Sequence, residues 1–399
     1  MGVVEIAASF AAALLIGALA RGALRTYLLL ALSVLAVYWF QPAIPLRFFD
    51  FWLPSITLAL VILTWFIISP PGSWKTRQNT PALGIIVGIP TLIELSRYLL
   101  PDPVFTETLP PPFIQYFVFA ILLGALILLF SWRTQRQSWT IGAAILLLII
   151  LLVILKTPAL SLKTSTLIRT LTNRPVENAL ASDLRWLGFS YIAFRLIHVL
   201  RDKQLGRLPG LSLAEFGTYV VFFPALAAGP IDRAERFAGD LRKEYLLSQD
   251  ETLLAGQRFF VGLFKKFVIA DTLALIALND TLATQVRSTG WMWVVVYAYA
   301  FQIYFDFSGY TDIAIGTARL VGIRLTENFA SPYARPNLTQ FWNSWHMTLT
   351  QWIRSYFFNP FNRWVRGFNS LPAWTMLLAG QVATMLVIGL WHGVTVNFI

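Results

Sequence analysis

The stretch Thr-Met-Leu-Leu-Ala-Gly-Gln-Val-Ala-Thr-Met-Leu-Val-Ile-Gly, residues Thr375–Gly389, is a run of apolar and small residues that leads through Leu390 and Trp391 to His392. A helix that crosses a bilayer needs about 20 mostly apolar residues, and this stretch approaches that length. A side chain that titrates near neutral pH is costly at such depth. The sequence therefore predicts a membrane helix that ends in either a functional histidine or one satisfied by a helix–helix hydrogen bond.

The composition of the whole chain predicts an all-α polytopic membrane protein. Of the 399 residues, 57% are hydrophobic and 13% are charged, whereas a soluble domain has roughly 25% charged residues. The apolar run Val3–Ala20 is too long for a signal-peptide core and is interpreted as the first span. We expect one integrated membrane domain, with scaffold helices in residues 1–182 and a chemically active core in residues 183–399, where polar groups recur inside apolar helices.

The net charge of +11 does not indicate nucleic-acid binding, because the Lys and Arg residues are scattered through short loops. Loops of this kind set membrane topology and meet anionic lipid head groups. The chain has no cysteine and only the histidines His198, His346 and His392. The sequence therefore excludes disulfides and thiolate chemistry and argues against a metal centre.

Apolar segments recur along the chain, and several differ from the ideal span length. This predicts tilted, broken or re-entrant helices in the second half. The candidate spans are Val3–Ala20, Thr26–Phe40, Phe51–Ile68, Pro81–Leu100, Pro112–Phe130, Thr140–Leu155, Leu184–Leu200, Leu213–Ala228, Leu253–Leu278, Trp291–Ile315, Phe341–Phe358 and Trp374–Ile399.

The distribution of basic residues predicts an external N-terminus, because cytoplasmic loops are enriched in Lys and Arg. The basic residues placed inside are Arg21, Arg25, Lys75, Arg77, Arg133, Arg136, Arg201, Lys203 and Arg207. The loop with Asp102 and Glu107 falls outside. Two external segments are exceptions: the short loop with Arg47, and Lys156–Asp183, which carries four basic residues.

Acidic residues lie inside two apolar segments. Glu94 and Arg97 (i, i+3) are predicted to pair near a helix end. Asp306 and Asp312 fall on different faces of a predicted helix, so they do not form a glycosidase-type carboxylate pair. Either they are ion or proton ligands of a transporter, or they line a substrate path, hydrogen-bond neighbouring helices or pair with Arg319 or Arg324. The second reading is favoured.

Two further histidines differ in their surroundings. His346 follows Trp345 in an aromatic stretch, Phe341–Tyr356, that otherwise suits an interfacial helix. His198 precedes Arg201 and is interpreted as an interfacial histidine at a helix end. Neither a Gly-x-Ser-x-Gly elbow nor a P-loop occurs, which leaves proton transfer by histidine as the available chemistry.

Several motifs, in the order in which they follow one another along the chain, resemble those of membrane-bound O-acyltransferases. They are most similar to the bacterial branch that acylates envelope polysaccharides by alginate O-acetylation or teichoic acid D-alanylation. The resemblance runs from about Asp183 to the end of the chain. The motifs are Gly188–Ile197, Phe223–Arg233, Tyr304-Phe-Asp-Phe-Ser-Gly-Tyr-Thr-Asp-Ile-Ala-Ile-Gly316, Glu327–Tyr333, Phe341-Trp-Asn-Ser-Trp-His346 and Gly389-Leu-Trp-His-Gly393.

This resemblance implies a ring of tilted and broken helices around a thin core crossed by a tunnel. It implies that His392 is the catalytic histidine and His346 the second one, and we expect both to face one tunnel. The residues expected to line the tunnel or hold substrate are Trp345, Asn328, Asp306, Tyr310 and Trp391.

The sequence also departs from the branch. Asn343 and Ser344 stand where basic residues are usual, and Ser355 stands where an acidic residue is usual. The sequence therefore leaves open how the protein contacts a carrier of the acyl donor. The chain ends at Ile399, before the family's further helices, so we expect a truncated or unusually short member.

The sequence thus predicts an O-acyltransferase in the bacterial inner membrane. We expect an acyl group, most simply acetyl, to pass from a cytoplasmic thioester to a hydroxyl of an envelope glycan or glycolipid, with His392 as general base. The donor, acetyl-CoA or the phosphopantetheine of an acyl carrier protein, would be a co-substrate, with no tightly bound cofactor and no metal. A lipase-like extracytoplasmic transferase is a further expected partner. The alternatives are an ion-coupled transporter or flippase that uses Asp306 and Asp312, and a partner-anchoring subunit with an inactive site.

Overall fold

The computed structural model describes residues 2–70, 72–73, 76–133, 138–367 and 372–394, and every regular element in these ranges is helical. The predicted all-α fold is therefore confirmed. The α-helices are α1 (Val3–Leu19), α2 (Gly22–Trp39), α3 (Phe49–Ile68), α4 (Asn79–Leu99), α5 (Phe113–Arg133), α6 (Ser138–Lys156), α7 (Pro158–Leu171), α8 (Phe189–Gln204), α9 (Leu213–Val221), α10 (Ala234–Arg242), α11 (Gln249–Leu263), α12 (Asp271–Ala274), α13 (Asp280–Gln285), α14 (Thr289–Leu320), α15 (Leu338–Ser344), α16 (Met347–Ile353), α17 (Asn359–Val365) and α18 (Ala373–His392).

Within the described part of the chain, five helices are long and apolar enough to cross a membrane. The helix α1 and the stretch Phe113–Ile127 are apolar but shorter. These helices confirm a polytopic membrane protein. The long helices are Gly22–Trp39, Phe49–Ile68, Asn79–Leu99, Trp139–Lys156 and Trp374–His392.

The second half of the chain contains the broken helices that the sequence predicted. The predicted span Leu253–Leu278 is divided into α11, a π-helical segment Phe264–Ala270 and α12. The predicted span Phe341–Phe358 is divided into α15, α16 and a second π-helical segment, Arg354–Phe358. Segments of this kind are common at functional sites, because they change which side chains face inward.

The described chain forms two compact units whose sequences interleave. The first unit comprises Met1–Arg25, Ala228–Asp232 and Gly239–Thr350. The second unit comprises Thr26–Ala227, Arg233–Ala238 and Gln351–Ile399. The division into a scaffold and a core at residue 183 rests on chemistry rather than on compactness, and it stays a prediction.

In the first unit, α11 packs closely against α14 because glycines face each other across the contact. A Cβ atom at Gly309 would lie 2.8 Å from the carbonyl oxygen of Gly262, and one at Gly316 would lie 2.8 Å from that of Ala255. Small residues permit such backbone approach in membrane proteins. The hydroxyl groups of Ser248 and Ser288 accept hydrogen bonds from amides in the first turns of α11 and α14 and so fix where these helices begin.

In the second unit, α3 packs against α5, α8 and α9, and most of it is buried. The predicted pairing of Glu94 with Arg97 is wrong. The guanidinium of Arg97 instead donates to the carbonyl of Pro110 in the next loop, while the Glu94 carboxylate is buried without a hydrogen bond among the described residues. A nearby loop carbonyl thus satisfies the arginine in place of the helical neighbour.

Candidate active site

His346 lies at the break between α15 and α16, in a backbone conformation that L-residues seldom adopt. Its φ angle is 41°, in the left-handed region that is uncommon outside glycine. Hydrogen bonds on both sides hold this conformation: the amide of Met347 donates to the carbonyl of Asn328 (2.8 Å), and the amide of Ala330 donates to that of Ser344 (3.0 Å). Backbone strain that the surroundings enforce points to a functional position.

The side chain of Asn328 ties the His346 segment to α14. It is fully buried, and its Oδ1 accepts a hydrogen bond from the Thr348 hydroxyl at 2.6 Å. Its Nδ2 donates to the Thr311 hydroxyl at 3.3 Å. The structure therefore places Asn328 where it positions the histidine segment.

The imidazole of His346 is buried against an aromatic layer. Its ring lies 4.7 Å from the ring of Phe307, which in turn lies 5.1 Å from the ring of Phe329. Trp345 packs 5.2 Å from Phe329 and 6.2 Å from Tyr304. We call Tyr304, Phe307, Phe329 and Trp345 the aromatic wall.

A cavity of about 630 Å³ borders this wall, within the first unit. Tyr304 and Phe329 of the aromatic wall line it. We call it the basic cavity, because cationic side chains outnumber anionic ones in its lining. Its charged lining residues are Arg258, Lys265, Arg319, Arg324, Asp312 and Glu327.

Sequence reasoning missed this cavity. Arg258 and Lys265 lie two helical turns apart on α11 and its π-helical continuation, far along the chain from the aromatic motifs. Their spacing of seven residues on one helix face was the available signal.

The two aspartates of α14 form ion pairs with the α11 segment. Asp312 is buried and accepts from Arg258 Nε and Lys265 Nζ, both at 2.6 Å. Asp306 is exposed and pairs with Lys266. The predicted partners Arg319 and Arg324 are wrong, because both pair with Glu251 instead.

The predicted tunnel residues occupy different settings. Asp306 is exposed and Trp345 is half-buried, whereas Tyr310 is buried in α14. The lining of the basic cavity includes none of Asp306, Tyr310, Asn328 or Trp345. Their role beside a tunnel stays a prediction.

His392 is the last residue of α18, in the second unit, and it is exposed. Its ring packs 4.5 Å from that of Trp391, which lies 5.8 Å from Phe194 on α8. Just beyond, the amide of Val394 donates to the carbonyl of Lys156 at 2.9 Å. These contacts fasten the end of α18 to α6 and α8. That His346 and His392 open on one tunnel stays a prediction.

His198 belongs to a buried network of side chains, and its predicted location at the membrane interface stays a prediction. Its Nε2 lies 3.0 Å from an oxygen of Asp202 one turn later. The Tyr356 ring stacks on the imidazole at 5.3 Å, and its hydroxyl donates to Asp202 at 3.0 Å. Asp202 lies in the last turn of α8, and Tyr356, distant in sequence, supplies its second partner.

Comparison with known proteins identifies several relatives. The chain is 37% identical over 214 residues to a probable alginate O-acetylase of Pseudomonas syringae pv. tomato, over 53% of this chain and 40% of that protein. It is 32% identical over 240 residues to a teichoic acid D-alanyltransferase of Streptococcus thermophilus, over 56% of each. It is 36% identical over 191 residues to a peptidoglycan O-acetyltransferase of Helicobacter pylori, over 46% of this chain and 34% of that protein. The chain thus matches about half or less of the length of these relatives.

The family comparison covers more of the chain. The sequence model of the membrane-bound O-acyltransferase family matches residues 138–399. The match spans α6 to α18 and includes both candidate histidines and the basic cavity. The chain therefore belongs to the membrane-bound O-acyltransferase family.

Proposed function

We propose that the protein transfers an acyl group, most simply acetyl, from a cytoplasmic thioester to a hydroxyl of a cell-envelope glycan or glycolipid. The names of the relatives support the reaction class, since they act on alginate, teichoic acid or peptidoglycan. The observation that carries the proposal is the basic cavity, which shares the aromatic wall with His346.

The basic cavity suits a thioester donor that carries phosphate. Coenzyme A and carrier-protein phosphopantetheine both join a slender thiol arm to phosphate, and guanidinium groups bind phosphate through charge-assisted hydrogen bonds. Arg324 is the most exposed of the basic side chains, whereas Arg258 and Lys265 lie deeper. We place the phosphate near Arg324 and Arg319.

The thiol arm would extend from there toward the aromatic wall. Ser308 lines the cavity, and its buried hydroxyl has no hydrogen-bond partner among the described residues. Buried polar groups are nearly always satisfied, so an amide of the bound arm is a suitable partner. The thioester would then reach Tyr304 and Phe329.

His392 would act as the general base. Its neutral imidazole takes the proton of the acceptor hydroxyl while the oxygen attacks the thioester carbonyl. The carbon–sulfur bond then breaks, and the imidazolium returns the proton to the departing thiolate, so no other reactant is needed. His346 would position the acceptor or stabilise the oxyanion.

A location in the bacterial inner membrane would give the protein access to both a cytoplasmic donor and an envelope acceptor. A lipase-like extracytoplasmic transferase would be a partner if the first acceptor is a carrier and not the final polymer.

The transporter alternative depends on Asp306 and Asp312. Both carboxylates are paired with cations of the α11 segment, which suits a structural role. Two variants separate the functions: ion-dependent uptake is lost in Asp306→Asn if the protein is a transporter, and acyl transfer is lost in His392→Ala if it is the enzyme.

The test is transfer of labelled acetyl by the purified protein in nanodiscs, from acetyl-CoA and from an acetylated carrier protein. Arg324→Gln should raise the KM for the donor about two- to fivefold with kcat unchanged, because an exposed charge contributes modestly. Arg287→Gln removes an exposed charge from the loop before α14 and serves as the matched control. Absence of transfer from either thioester, or an equal effect of both variants, would contradict the proposal.

A further inference from the structure

A second cavity, of about 610 Å³, lies in the second unit, where three interhelical connections meet. These connections join α2 to α3, join α4 to α5, and follow α7. Its charged lining residues are Arg47, Arg97, Arg169 and Arg174, and none of the described lining residues is acidic. We call it the arginine pocket.

Phe48 holds two of these arginines in place. The guanidinium carbon of Arg47 lies 4.5 Å from the centre of the Phe48 ring, and that of Arg97 lies 5.7 Å away. The cation–π contacts orient both groups without neutralising their charge. The hydrogen bond from Arg97 to the carbonyl of Pro110 fixes its position further.

Two buried acidic groups nearby, Asp50 and Asp183, accept hydrogen bonds from protein donors. One oxygen of Asp183 accepts from Arg169 at 3.0 Å and from the Ser165 hydroxyl at 2.6 Å. The carboxylate of Asp50 accepts from the amide and hydroxyl of Thr108, at 2.7 and 2.8 Å. These carboxylates hold together the segments that surround the pocket.

Two guanidinium groups remain available. Arg47 and Arg174 are exposed, and neither has a carboxylate within 4 Å in the described ranges of the chain. Two unneutralised guanidinium groups beside two fixed ones make a site for an anion, since the planar fork binds carboxylate or phosphate bidentately.

The position of this pocket explains an irregularity in the sequence. All three connections fall on the side that the Lys/Arg pattern predicts to be external, where basic residues are normally scarce. The two exceptions to that pattern are the loop with Arg47 and the long segment with Arg169 and Arg174. In the structure, these exceptional arginines line one cavity. Their arrangement indicates that they serve to bind a ligand and not to set the topology of the chain.

We propose that the arginine pocket binds anionic repeat units of an envelope polymer on the external face of the membrane. The ligand class is an oligomer that bears carboxylates or phosphodiesters, and the cavity volume lies within the usual range of about 300–1,000 Å³ for ligand sites. Identification of this polymer as the acyl acceptor rests on the proposed function. The binding itself does not.

The test measures binding to the full chain in nanodiscs of zwitterionic lipid, without any thioester. The probes are fluorescent hexamers of a uronic acid, of glycerol phosphate and of neutral glucose. We expect one acidic hexamer to bind in a salt-sensitive manner and the neutral hexamer not to bind. In the Arg47→Gln/Arg174→Gln variant, the Kd should rise about tenfold, because two partly screened charge-assisted bonds are lost.

The matched control is Lys163→Gln/Arg185→Gln, which removes two exposed charges from neighbouring segments outside the pocket. It should leave the Kd within about twofold of the original value. The two acidic hexamers distinguish carboxylate from phosphodiester ligands.

The proposal would be overturned if neither acidic hexamer bound, or if both double variants weakened binding equally. It would also be overturned if the pocket variant changed only the binding of phosphatidylglycerol added to the nanodiscs. Pocket-dependent binding without acyl transfer would contradict the proposed function alone, whereas transfer without pocket-dependent binding would contradict this inference alone.

Discussion

His346 combines a strained backbone with a buried side chain, and only part of this was predictable. A histidine beside tryptophan in an apolar segment marked a candidate. Its positive φ was not predictable, because Asn328, 18 residues earlier, imposes it through hydrogen bonds to the following segment. At the scale of the residue, the sequence identifies the imidazole as a candidate functional group. Tertiary contacts determine the backbone conformation that holds it.

Asn328→Ala tests this positioning role. The change leaves the buried hydroxyls of Thr348 and Thr311 without their amide partner. We expect a loss of about 1–3 kcal/mol in unfolding free energy, and a fall in kcat larger than any change in KM. Thermal unfolding and steady-state kinetics give both quantities.

Thr311→Val is the matched control, because it removes only the longer of the two bonds to Asn328. It should have the smaller effect on kcat. A kcat for Asn328→Ala equal to that of the unaltered protein would show that the segment needs no such support.

At the scale of the element, the contact between α11 and α14 depends on glycine. In Gly309→Ala, the added methyl group would lie 2.8 Å from backbone atoms of Gly262 and Lys266, which cannot rotate away. Overpacking of this kind costs about 1–3 kcal/mol, and the shift of α11 would disturb Arg258 and Lys265 in the basic cavity. We expect a lower unfolding temperature and a higher KM for the thioester.

Gly290→Ala is the control for this prediction, since a methyl group there meets only the Ser288 hydroxyl at 3.6 Å. Its stability should be unchanged or slightly higher, because alanine favours helix. Equal unfolding temperatures for the two variants would mean that the helices are not in close contact.

The segment after α7 should be sensitive to acid. Burial alone would raise the pKa of Asp183, but hydrogen bonds from Ser165, the Leu180 amide and Arg169 outweigh it and hold the pKa below its usual value. A depressed carboxyl pKa stabilises the folded segment above the unfolded value of about 4, and the contribution is lost as the pH falls through the lower folded value.

Hydrogen exchange of the Leu180 amide measures this loss, because that amide donates to Asp183 at 3.1 Å. After correction for intrinsic exchange rates, protection should decline progressively as the pH falls below about 4, the unfolded value, and through the lower folded pKa of Asp183. In Asp183→Asn it should be weak already at neutral pH and should change little with acid. The same acid profile in both proteins would assign the transition to another group.

Apolar segments that differ in length from a single membrane span predicted that helices would break, but they did not predict the positions of the breaks. The apolar stretch Leu253–Leu278 was too long for one simple span, and the structure divides it at Phe264. The break lies where Lys265 and Lys266 turn toward the aspartates of α14. The partners of these cations are distant in sequence, so local pattern could not place the π-helical segment.

At the scale of the whole molecule, the distribution of Lys and Arg predicts which loops share a side of the membrane. The residues Arg77 and Asp102 are both exposed and lie at opposite ends of α4. Since the chain has no cysteine, single substitutions report topology cleanly. We expect an impermeant thiol reagent to label Asp102→Cys in intact cells and Arg77→Cys only after permeabilisation. The reverse pattern would invert the topology and place the arginine pocket on the cytoplasmic side.

Motifs of contiguous residues were enough to predict the family, because those residues are adjacent in the chain. The catalytic role of both histidines stays a prediction. The full lining of the two cavities was not predictable, although the spacing of Arg258 and Lys265 indicated one pair of lining residues. Their arginines come from several elements, and only folding brings Arg47, Arg97 and Arg174 together or sets Arg258 beside Arg324.

In the proposed reaction, His392 removes the proton of the acceptor hydroxyl. Single-turnover acyl transfer by His392→Ala, with the protein preloaded with thioester and the acceptor in excess, tests it most directly. His392→Gln, which keeps a polar side chain but cannot act as a base, is the companion variant. We expect the rate of transfer to fall about 10²–10⁴-fold in both variants while donor binding and thermal stability are retained. A transfer rate near that of the unaltered protein, in a stably folded His392→Ala protein, would contradict it.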